Sequence, residues 1–366
     1  MSSARSLEAM LDAAQQGLEP RRAWSHPTGV SQRVTLPPLP TGRHMLARMP
    51  IRQEPEAGEW EATAFDSVTP WVCEFRDALV HGSAGIIAVD EIIVADTLAR
   101  TAGVPGIDLV VSSEVAQLQG CWLSLLYANS ANYYHWTIDC LGRLAAADAE
   151  TLAQCTQILT PPLETEFQTA GFALTGLPRS HCVREMPVDA TVRVERLLVP
   201  WTVTADLFPH PCVRDYYLRF PRTEPGPSPR RFYIERRSSP NRRLANEDEV
   251  IMALERMGFA CVRLEAMLLA EQIALFANAD IIVAPHGAGL ANLVYARAGC
   301  GLIELHMDSY VNWCFRRLAA VCQVSYDCVI GRQLPATGAG TVHAQEWAVS
   351  VTHMLGAVEQ MIASRG

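Results

Sequence analysis

Short apolar runs alternate with longer amphipathic stretches through the second half of the chain. The runs predict five strands, and apolar residues at helical spacing between them predict four helices. The strands are Phe232–Glu235, Cys261–Leu264, Ile281–Ala284, Leu302–Leu305 and Tyr326–Ile330, and the helices are Asn246–Met257, Leu269–Asn278, Gly289–Ala298 and Asn312–Cys322. Strands that alternate with helices indicate a parallel sheet with helices on both faces.

A proline-rich segment separates this region from the first part of the chain. Residues 222–231, RTEPGPSPRR, hold three prolines and a glycine and predict a linker. We therefore expect a first α/β domain over residues 1–221, a second domain over 232–342 and a C-terminal helix over 343–366. That helix carries an apolar stripe, for which the first domain is a candidate packing partner.

The first of the four helices begins with a capping pattern. Asn246 precedes it and Glu249 occupies the third helical position, as in a capping box with asparagine as the cap. Glu247, Asp248 and Glu249 are interpreted as first-turn acids, which the helix dipole favours.

Length and charge narrow the classes of function. With 366 residues, of which 49% are apolar, the chain is long enough for two hydrophobic cores. A formal net charge of −9 argues against a general nucleic-acid-binding protein, which would normally be basic. All 30 basic residues are arginine, so an anion site must use guanidinium groups or backbone N–H donors.

The eleven cysteines are scattered, without a Cys-x-x-Cys pair or zinc-ligand spacing. Such a set in a large domain is typical of reduced, buried thiols in a cytoplasmic protein. No segment approaches the roughly eighteen apolar residues of a membrane span, so any membrane association is expected to be peripheral or through a biosynthetic complex.

The segment APHGAGLAN, residues 284–292, leaves a predicted strand through a proline, a histidine and two glycines. In open parallel sheets, ligands bind at the carboxyl ends of the strands, where such turns converge. A helix beginning near Ala288 presents unpaired N–H groups and the positive end of its dipole, which suit a phosphate or diphosphate. A tight turn whose glycines serve packing alone is the alternative.

Charged residues follow the neighbouring strands. Arg236 and Arg237 leave the strand Phe232–Glu235 on the same edge of the sheet as the glycine turn, and guanidinium groups bind phosphate oxygens bidentately. Glu304 lies near the end of a later strand, where a carboxylate can accept two ribose hydroxyls. The alternatives are a solvated basic surface and a helix-capping or surface acid.

A second constellation lies in YANSANYYHWTIDCLGRL, residues 127–144. A helix predicted to begin near Asn132 places His135, Asp139 and Arg143 along one face, because they are spaced by four. Asp139 can hold the imidazole in one tautomer while Arg143 keeps Asp139 ionised, which is how a general base is oriented. The alternative is an ion pair beside a capping histidine.

Three segments together resemble a known family. NYYHWTIDCLGRL, FYIERRSSPNRRLANEDEV and EQIALFANADIIVAPHGAGLANLVYARAGCGLIEL are similar to glycosyltransferase family 61, which includes bacterial capsular-polysaccharide biosynthesis proteins. The resemblance covers roughly residues 120–310 in order. It implies a GT-B architecture, in which two Rossmann-like domains face each other across a cleft and the second holds a nucleotide-sugar.

The resemblance also implies an activity. Such enzymes invert the anomeric centre by single displacement; here the expected donor is UDP-linked and the acceptor is a glycan of a capsular polysaccharide or exopolysaccharide. His135 and Asp139 are the predicted catalytic residues. The predicted donor-binding residues are Arg236, Arg237, His286, Gly287, Ala288, Gly289, Asn292 and Glu304. Glu235 departs from the small hydroxyl residue expected before Arg236, and Arg237 is the candidate to offset its charge.

The chain has no clear Asp-x-Asp motif, so no divalent metal is expected at the diphosphate. Arginine side chains and backbone N–H groups would stabilise the leaving group instead. Two other classes of protein remain. A nicotinamide-dependent oxidoreductase would need the GxGxxG pattern, which is absent here. A non-catalytic glycan- or nucleotide-binding protein would bind nucleotide without turnover.

Overall fold

The structure is a computed structural model, and it describes most of the chain. The described residues are 4–6, 9–10, 23–39, 62–90, 92–98, 115–155, 157–177, 183–202, 209–220, 228–237, 239, 241–335 and 345–365. Residues 222–227 of the predicted linker lie outside them, so the linker stays a prediction.

The described residues form strands β1–β17 and seven α-helices. The first eleven strands are β1 (Ala4–Arg5), β2 (Ala23–Pro27), β3 (Arg33–Thr35), β4 (Ala64–Asp66), β5 (Trp71–His81), β6 (Ile86–Val89), β7 (Ile92–Val94), β8 (Ala116–Ser124), β9 (Gln157–Thr160), β10 (Val183–Glu185) and β11 (Thr191–Trp201). The others are β12 (Arg231–Ile234), β13 (Ala260–Val262), β14 (Ile281–Pro285), β15 (Gly301–Met307), β16 (Ser325–Gln333) and β17 (Trp347–Ala348). The helices are α1 (Ala149–Gln154), α2 (Glu166–Leu174), α3 (Cys212–Tyr217), α4 (Glu247–Arg256), α5 (Leu269–Ala277), α6 (Cys314–Cys322) and α7 (Val351–Ala363).

The alternation of strands and helices predicted after residue 232 is confirmed, with ends that shift by up to three residues. One element differs in type. The predicted helix Gly289–Ala298 is a 3-10 helix over Ala288–Tyr295. The mixed α/β class is therefore as predicted.

The chain folds into two units. The first comprises Met1–Gln32 and Ser67–Phe220, and the second comprises Arg33–Asp66 and Pro221–Gly366. The segment Arg33–Asp66, which the sequence analysis includes in the first domain, is therefore assigned to the second unit. Its attachment is visible at Arg316 of α6, whose guanidinium donates to the carbonyl oxygens of Pro37 (2.7 and 2.9 Å) and Ala62 (3.0 Å).

The second unit is built on a sheet of strand order β13-β12-β14-β15-β16-β17. The first five strands are parallel, and β17 is antiparallel to β16. Every residue of β14 and β15 is buried, as expected for strands covered on both faces. Consecutive residues of β12 show the two layers: the Phe232 ring packs against Phe276 of α5, while Tyr233 belongs to the core that contains α4 and α7.

The first unit has a mixed sheet of order β1-β7-β6-β5-β11-β8-β9-β10, with β2 also paired to β5. Strands β11, β8, β9 and β10 are parallel, whereas β5, β6 and β7 are antiparallel neighbours. The antiparallel half departs from the predicted Rossmann-like sheet. The tight turn between β5 and β6, where Gly82 and Gly85 adopt φ values of 67° and 69° that favour glycine, accounts for one of these antiparallel pairs.

The C-terminal helix α7 packs within the second unit. Its buried residues Met354, Val358 and Met361 belong to the same core as the inner residues of β14 and β15. The expectation that this helix packs on the first domain is therefore corrected. The apolar stripe of α7 is buried against the sheet of its own unit.

The predicted capping box at Asn246 is also corrected. Asn246 is the N-cap of α4, but its side chain makes no capping hydrogen bond. Instead it pairs with the backbone of Val349: Nδ2 donates to the carbonyl oxygen (2.9 Å), and Oδ1 accepts from the N–H (3.1 Å). Asn246 thus fastens the segment leading into α7 to the start of α4.

No described helix is both long and apolar enough to cross a membrane.

The packing of α7 predicts a specific loss of stability. Met354→Ala should lower the free energy of unfolding by about 2–5 kcal/mol, because the side chain is fully buried in the second unit. Glu359→Ala, on the exposed side of the same helix, should change it by about 0.5 kcal/mol or less. Denaturant unfolding measures both, and equal losses would contradict the placement of the helix.

Candidate functional site

The candidate site of the second unit lies where the sheet order reverses. The chain passes from β12 to β13 on one side, then returns to place β14 on the other side of β12. In doubly wound sheets the crevice at such a switch point, outside the carboxyl ends of the strands, is where ligands bind. Arg236 follows β12 and the turn of His286 and Gly287 follows β14, so both lie at this crevice.

The glycine turn leaves room for the guanidinium of Arg236. A Cβ atom on Gly287 would collide with Arg236 Nη1, so no larger residue fits there with the arginine in place. The guanidinium is held from two sides: Nη1 donates to the carbonyl oxygen of His286 (3.2 Å), and Nη2 donates to Ser239 Oγ (2.8 Å). The group that approaches the backbone closely at Gly287 is therefore the guanidinium of Arg236.

Arg236 carries a charge that the described part of the chain does not neutralise with an ion pair. It is partly buried, and its Nε atom is enclosed without a hydrogen-bond partner among the described residues. Burial, followed by repulsion from Arg242, lowers the pKa of Arg236 below its usual value. Burial likewise lowers the pKa of Arg242, whose guanidinium lies 4.5 Å from the Tyr310 ring centroid. Two partly buried cations in one place favour the binding of an anion.

The backbone after β12 is fixed by Glu247 of α4. One carboxylate oxygen, Oε1, accepts from the backbone N–H of Arg236 (2.7 Å) and from the Tyr233 hydroxyl (2.8 Å). The interpretation of Glu247 as a first-turn acid holds for its position, but its buried carboxylate also sets where Arg236 leaves the strand.

Arg237 pairs with acidic side chains. Its side chain is 49% exposed and pairs with Asp248 (Nη2 to Oδ1, 2.5 Å) and more loosely with Glu235 (Nε to Oε2, 3.7 Å). Glu235 is neutralised mainly by Arg263, whose Nε lies 2.6 Å from Oε1. Arg263 thus takes most of the role that the sequence analysis gave to Arg237.

Glu304 lies in a closed cluster of polar side chains. His286 Nδ1 donates to Glu304 Oε1 (2.6 Å), the Tyr326 hydroxyl donates to Oε2 (2.8 Å), and His306 Nε2 lies 3.2 Å from Oε2. Both oxygens are occupied and the side chain has no exposed surface. The expected contacts to two ribose hydroxyls do not fit this geometry, because burial and internal partners leave no room for them.

The charge states within this cluster follow from burial and pairing. Burial alone would raise the pKa of Glu304, but attraction to His306 and the hydrogen bond from His286 outweigh it and lower the pKa to about 2. Burial lowers the pKa of His286 to about 4, although Glu304 acts in the opposite direction. At neutral pH the cluster therefore contains an ionised Glu304 and a neutral His286.

The donor atoms of His286, Glu304 and His306 lie within 4.8 Å of one another, and such a set of ligand types can hold a metal ion. Since both carboxylate oxygens already accept hydrogen bonds inside the cluster, we interpret it as a network that fixes the His286 carbonyl beneath Arg236.

Of the other predicted donor-binding residues of the turn, Ala288 and Gly289 are partly exposed, and Asn292 is buried. Ala288 and Gly289 begin the 3-10 helix and are partly exposed. A Cβ on Gly289 would lie 2.7 Å from Leu264 Cδ1, so this glycine permits close packing. Asn292 is fully buried and its Nδ2 donates to Gln272 Oε1 (2.9 Å). Its place is inside the fold, where it anchors the 3-10 helix to α5.

The predicted contact between His135 and Asp139 of the first unit is confirmed, whereas the predicted place of Arg143 beside Asp139 is wrong. His135 Nδ1 lies 2.6 Å from Asp139 Oδ2, and Asp139 is fully buried. Arg143 does not reach Asp139. Its Nη1 donates to the Leu126 carbonyl (2.9 Å), and the guanidinium lies over the rings of Tyr127 and Trp201.

The winding of the backbone explains this separation. Residues His135–Cys140 form a wide π-helical turn, and Leu141–Ala146 form a tight 3-10 helix. Four residues in an α-helix advance about 40° beyond one turn, but in a 3-10 helix they advance about 120°. The change in winding carries Arg143 to another face, while His135 and Asp139 remain together.

The sequence-based prediction does not include five residues of this site, and it names Glu247 only as a first-turn acid. The five are Ser239, Arg242, Arg263, His306 and Tyr326. Period-two alternation in β15 could have found His306, since it must share a face with Glu304. The partners of Glu247 and Tyr326 depend on how α4 and β16 pack.

Comparisons with known proteins relate this chain to glycosyltransferases. The family model described as Glycosyltransferase 61 matches residues 133–303. A region of 112 residues is 31% identical to an EGF domain-specific O-linked N-acetylglucosamine transferase of Drosophila melanogaster and covers 30% of this chain and 21% of that protein. A region of 94 residues is 35% identical to a beta-1,2-xylosyltransferase of Oryza sativa subsp. japonica and covers 25% of this chain and 20% of that protein.

The chain spans about a fifth of the length of these curated relatives. The family match spans the region that contains His135 and the glycine turn. Both relatives are named as glycosyltransferases, which supports the resemblance to family 61. Both relatives are eukaryotic, and the bacterial capsular-polysaccharide setting stays a prediction.

The Glu304 cluster predicts how stability depends on pH. Because the folded-state pKa of His286 is depressed to about 4 from an ordinary 6.5, its contribution to stability is complete above pH 6.5 and is lost as the pH falls through 4. Over that window the slope should be about 1.4 kcal/mol per pH unit, the value for one proton. Histidine ring NMR, with the signal assigned by its loss in His286→Asn, should give a midpoint near 4; a midpoint near 6.5 would contradict the cluster.

Proposed function

We propose that this chain is an inverting glycosyltransferase that moves a sugar from a UDP-linked donor to a glycan acceptor. The observation that carries the proposal is Arg236, a cation without a carboxylate partner in the described residues, at the switch point of a doubly wound sheet. The family-61 match and the two glycosyltransferase relatives give the class of reaction that such an anion site would serve.

The donor diphosphate binds at Arg236 and the start of the 3-10 helix in this proposal. The guanidinium offers donors for phosphate oxygens, with Arg242 as the nearby second positive charge. The first N–H groups of the helix, at Ala288 and Gly289, add donors at its positive end. These fixed groups can stabilise the leaving UDP, so the reaction is proposed to need no divalent metal.

The acceptor is activated by His135 in this proposal. Asp139 holds the Nδ1–H of His135, which leaves Nε2 as the base that takes the proton of an acceptor hydroxyl. The acceptor oxygen forms its bond to the anomeric carbon as the bond to UDP breaks on the opposite face, which inverts the configuration. Buried Asp139 stabilises the imidazolium that results.

The names of the relatives bear on the sugar that is donated. One is named for transfer of N-acetylglucosamine and the other for transfer of xylose, so both hexose and pentose donors belong in a first screen. We propose a glycan of a bacterial capsular polysaccharide or exopolysaccharide as acceptor, a cytoplasmic site of action with peripheral or complex-mediated membrane association, and a GT-B arrangement of the two units.

The first test of function is UDP binding. UDP should raise the Tm, and Arg236→Ala should weaken UDP binding roughly tenfold to a hundredfold, the equivalent of about 1.5–3 kcal/mol for a charged hydrogen bond. Arg237→Ala is the matched control and should bind like wild type, since that side chain points to Asp248. Excess EDTA should leave the shift intact. An unchanged shift in Arg236→Ala would overturn the donor site.

The second test is turnover of UDP-sugars found in the screen. His135→Ala should lower kcat by about a hundredfold or more, the range for loss of a general base, while UDP affinity stays near wild type. Asp139→Asn should lower kcat in the same direction through the orientation of the ring. His26→Ala removes an exposed histidine of β2 and serves as control. Full activity of both site variants would make this pair structural, and UDP binding without any turnover would favour a non-catalytic nucleotide-binding protein.

A further inference from the structure

Two cysteines of the first unit lie side by side. Cys121 Sγ and Cys155 Sγ are 2.7 Å apart, although the residues are 34 positions apart in sequence. Both are free thiols, as are the other described cysteines. The two residues form no paired-cysteine motif in the sequence, because only the fold brings them together.

The strand register accounts for the proximity. In the parallel pair β8 and β9, Trp122 lies opposite Gln157, so Cys121 directly precedes one partner and Cys155 lies two residues before the other. Neighbouring strands run about 4.8 Å apart, and a disulfide joins residues whose Cα atoms are about 4.4–6.8 Å apart. The backbone therefore places the two residues within bonding range.

The two thiols differ in reactivity. The hydrogen bond with Cys155 lowers the pKa of Cys121; burial opposes this, and attraction to Arg196 adds to it. The same hydrogen bond, together with burial, raises the pKa of Cys155. Cys121 is partly exposed, whereas Cys155 is buried. In such a pair the accessible thiolate can attack an external disulfide, and the buried thiol can then attack the resulting mixed disulfide.

We propose that Cys121 and Cys155 form a redox-active dithiol that closes to a disulfide and thereby links both ends of the segment carrying His135 and Asp139. With a low-molecular-weight disulfide such as oxidised glutathione as oxidant, the Cys121 thiolate attacks one sulfur and releases one glutathione thiolate. Cys155 then loses its proton and attacks the mixed disulfide, which releases the second glutathione. Two thiols are oxidised to one disulfide, and the two electrons reduce one oxidised glutathione to two thiols.

The positions of the two cysteines determine which segment of the chain a disulfide between them would enclose. Cys121 lies in β8 before the polar turn, and Cys155 follows α1 after the 3-10 helix, so the closed loop contains the whole His135 segment. Closing a loop of this length stabilises the folded state by restricting the unfolded chain. Reversible disulfides of cytoplasmic proteins are commonly catalytic or redox-sensing, which agrees with the proposed location.

Peptide mapping of the full-length protein tests the assignment. The chain is incubated with oxidised glutathione, its remaining thiols are blocked, and it is digested without reductant. We expect one linked peptide pair joining Cys121 to Cys155 and a Tm that rises by roughly 5–10 °C and returns with dithiothreitol. A digest without this linked pair, or one in which other cysteines are joined instead, would overturn the proposal.

Variants assign the order of the steps. Cys155→Ser should leave Cys121 as a stable mixed disulfide with glutathione, whereas Cys121→Ser should leave Cys155 unmodified. Cys212→Ser is the control: Cys212 is also partly exposed, but burial and the charge of Asp215 raise its pKa to about 12. It should leave the linked pair unchanged. The readouts are masses of wild type and variants, so failure here is separate from failure of the proposed sugar transfer.

Discussion

The candidate site of the second unit depends on the close contact between the Arg236 guanidinium and Gly287. Arg236 occupies the space that the missing side chain of Gly287 leaves open, at the carboxyl ends of the neighbouring strands β12 and β14, where the strand order reverses. A partly buried cation without an ionic partner costs free energy, so the surroundings must hold it in place. A chain of contacts does so: Tyr326 and His306 fix Glu304, Glu304 fixes the His286 ring, and the His286 carbonyl accepts from Arg236. The same support prepares the positive charge for a ligand before the ligand arrives.

The elements of this unit could be predicted from the sequence because burial on both faces leaves a strong local signal. Strand β14 is a continuous apolar run, β15 is apolar apart from Glu304 and His306, and the helices between the strands carry the spacing of a half-buried surface. The switch point follows once the strand order is known. The strand order itself is set by packing between segments far apart in the chain, as the antiparallel pairing of β5 with β11 in the first sheet shows.

The residues whose roles changed share one property, which is a partner that the sequence does not place nearby. Asn246 turns from its own helix to Val349, 103 positions away, and Arg143 turns to the Leu126 carbonyl and two aromatic rings. Glu304, which is predicted as a strand-end acid facing a ligand, pairs instead with His286 and Tyr326, 18 and 22 positions away. Local spacing predicted the pair of His135 and Asp139 correctly, because two residues four apart stay together even in a wide turn.

The ion pair between Glu235 and Arg263 constrains the order in which this site can change during evolution. The two residues directly follow Ile234 and Val262, which are opposite each other in β12 and β13. Loss of Arg263 alone would leave the Glu235 carboxylate with two longer contacts, to Arg237 Nε (3.7 Å) and Cys261 Sγ (3.6 Å), next to the arginine proposed to hold a diphosphate. If Glu235 is first replaced by a small hydroxyl residue, no carboxylate is left without its main cationic partner when Arg263 is lost. The effect of a substitution at position 263 therefore depends on which residue occupies position 235.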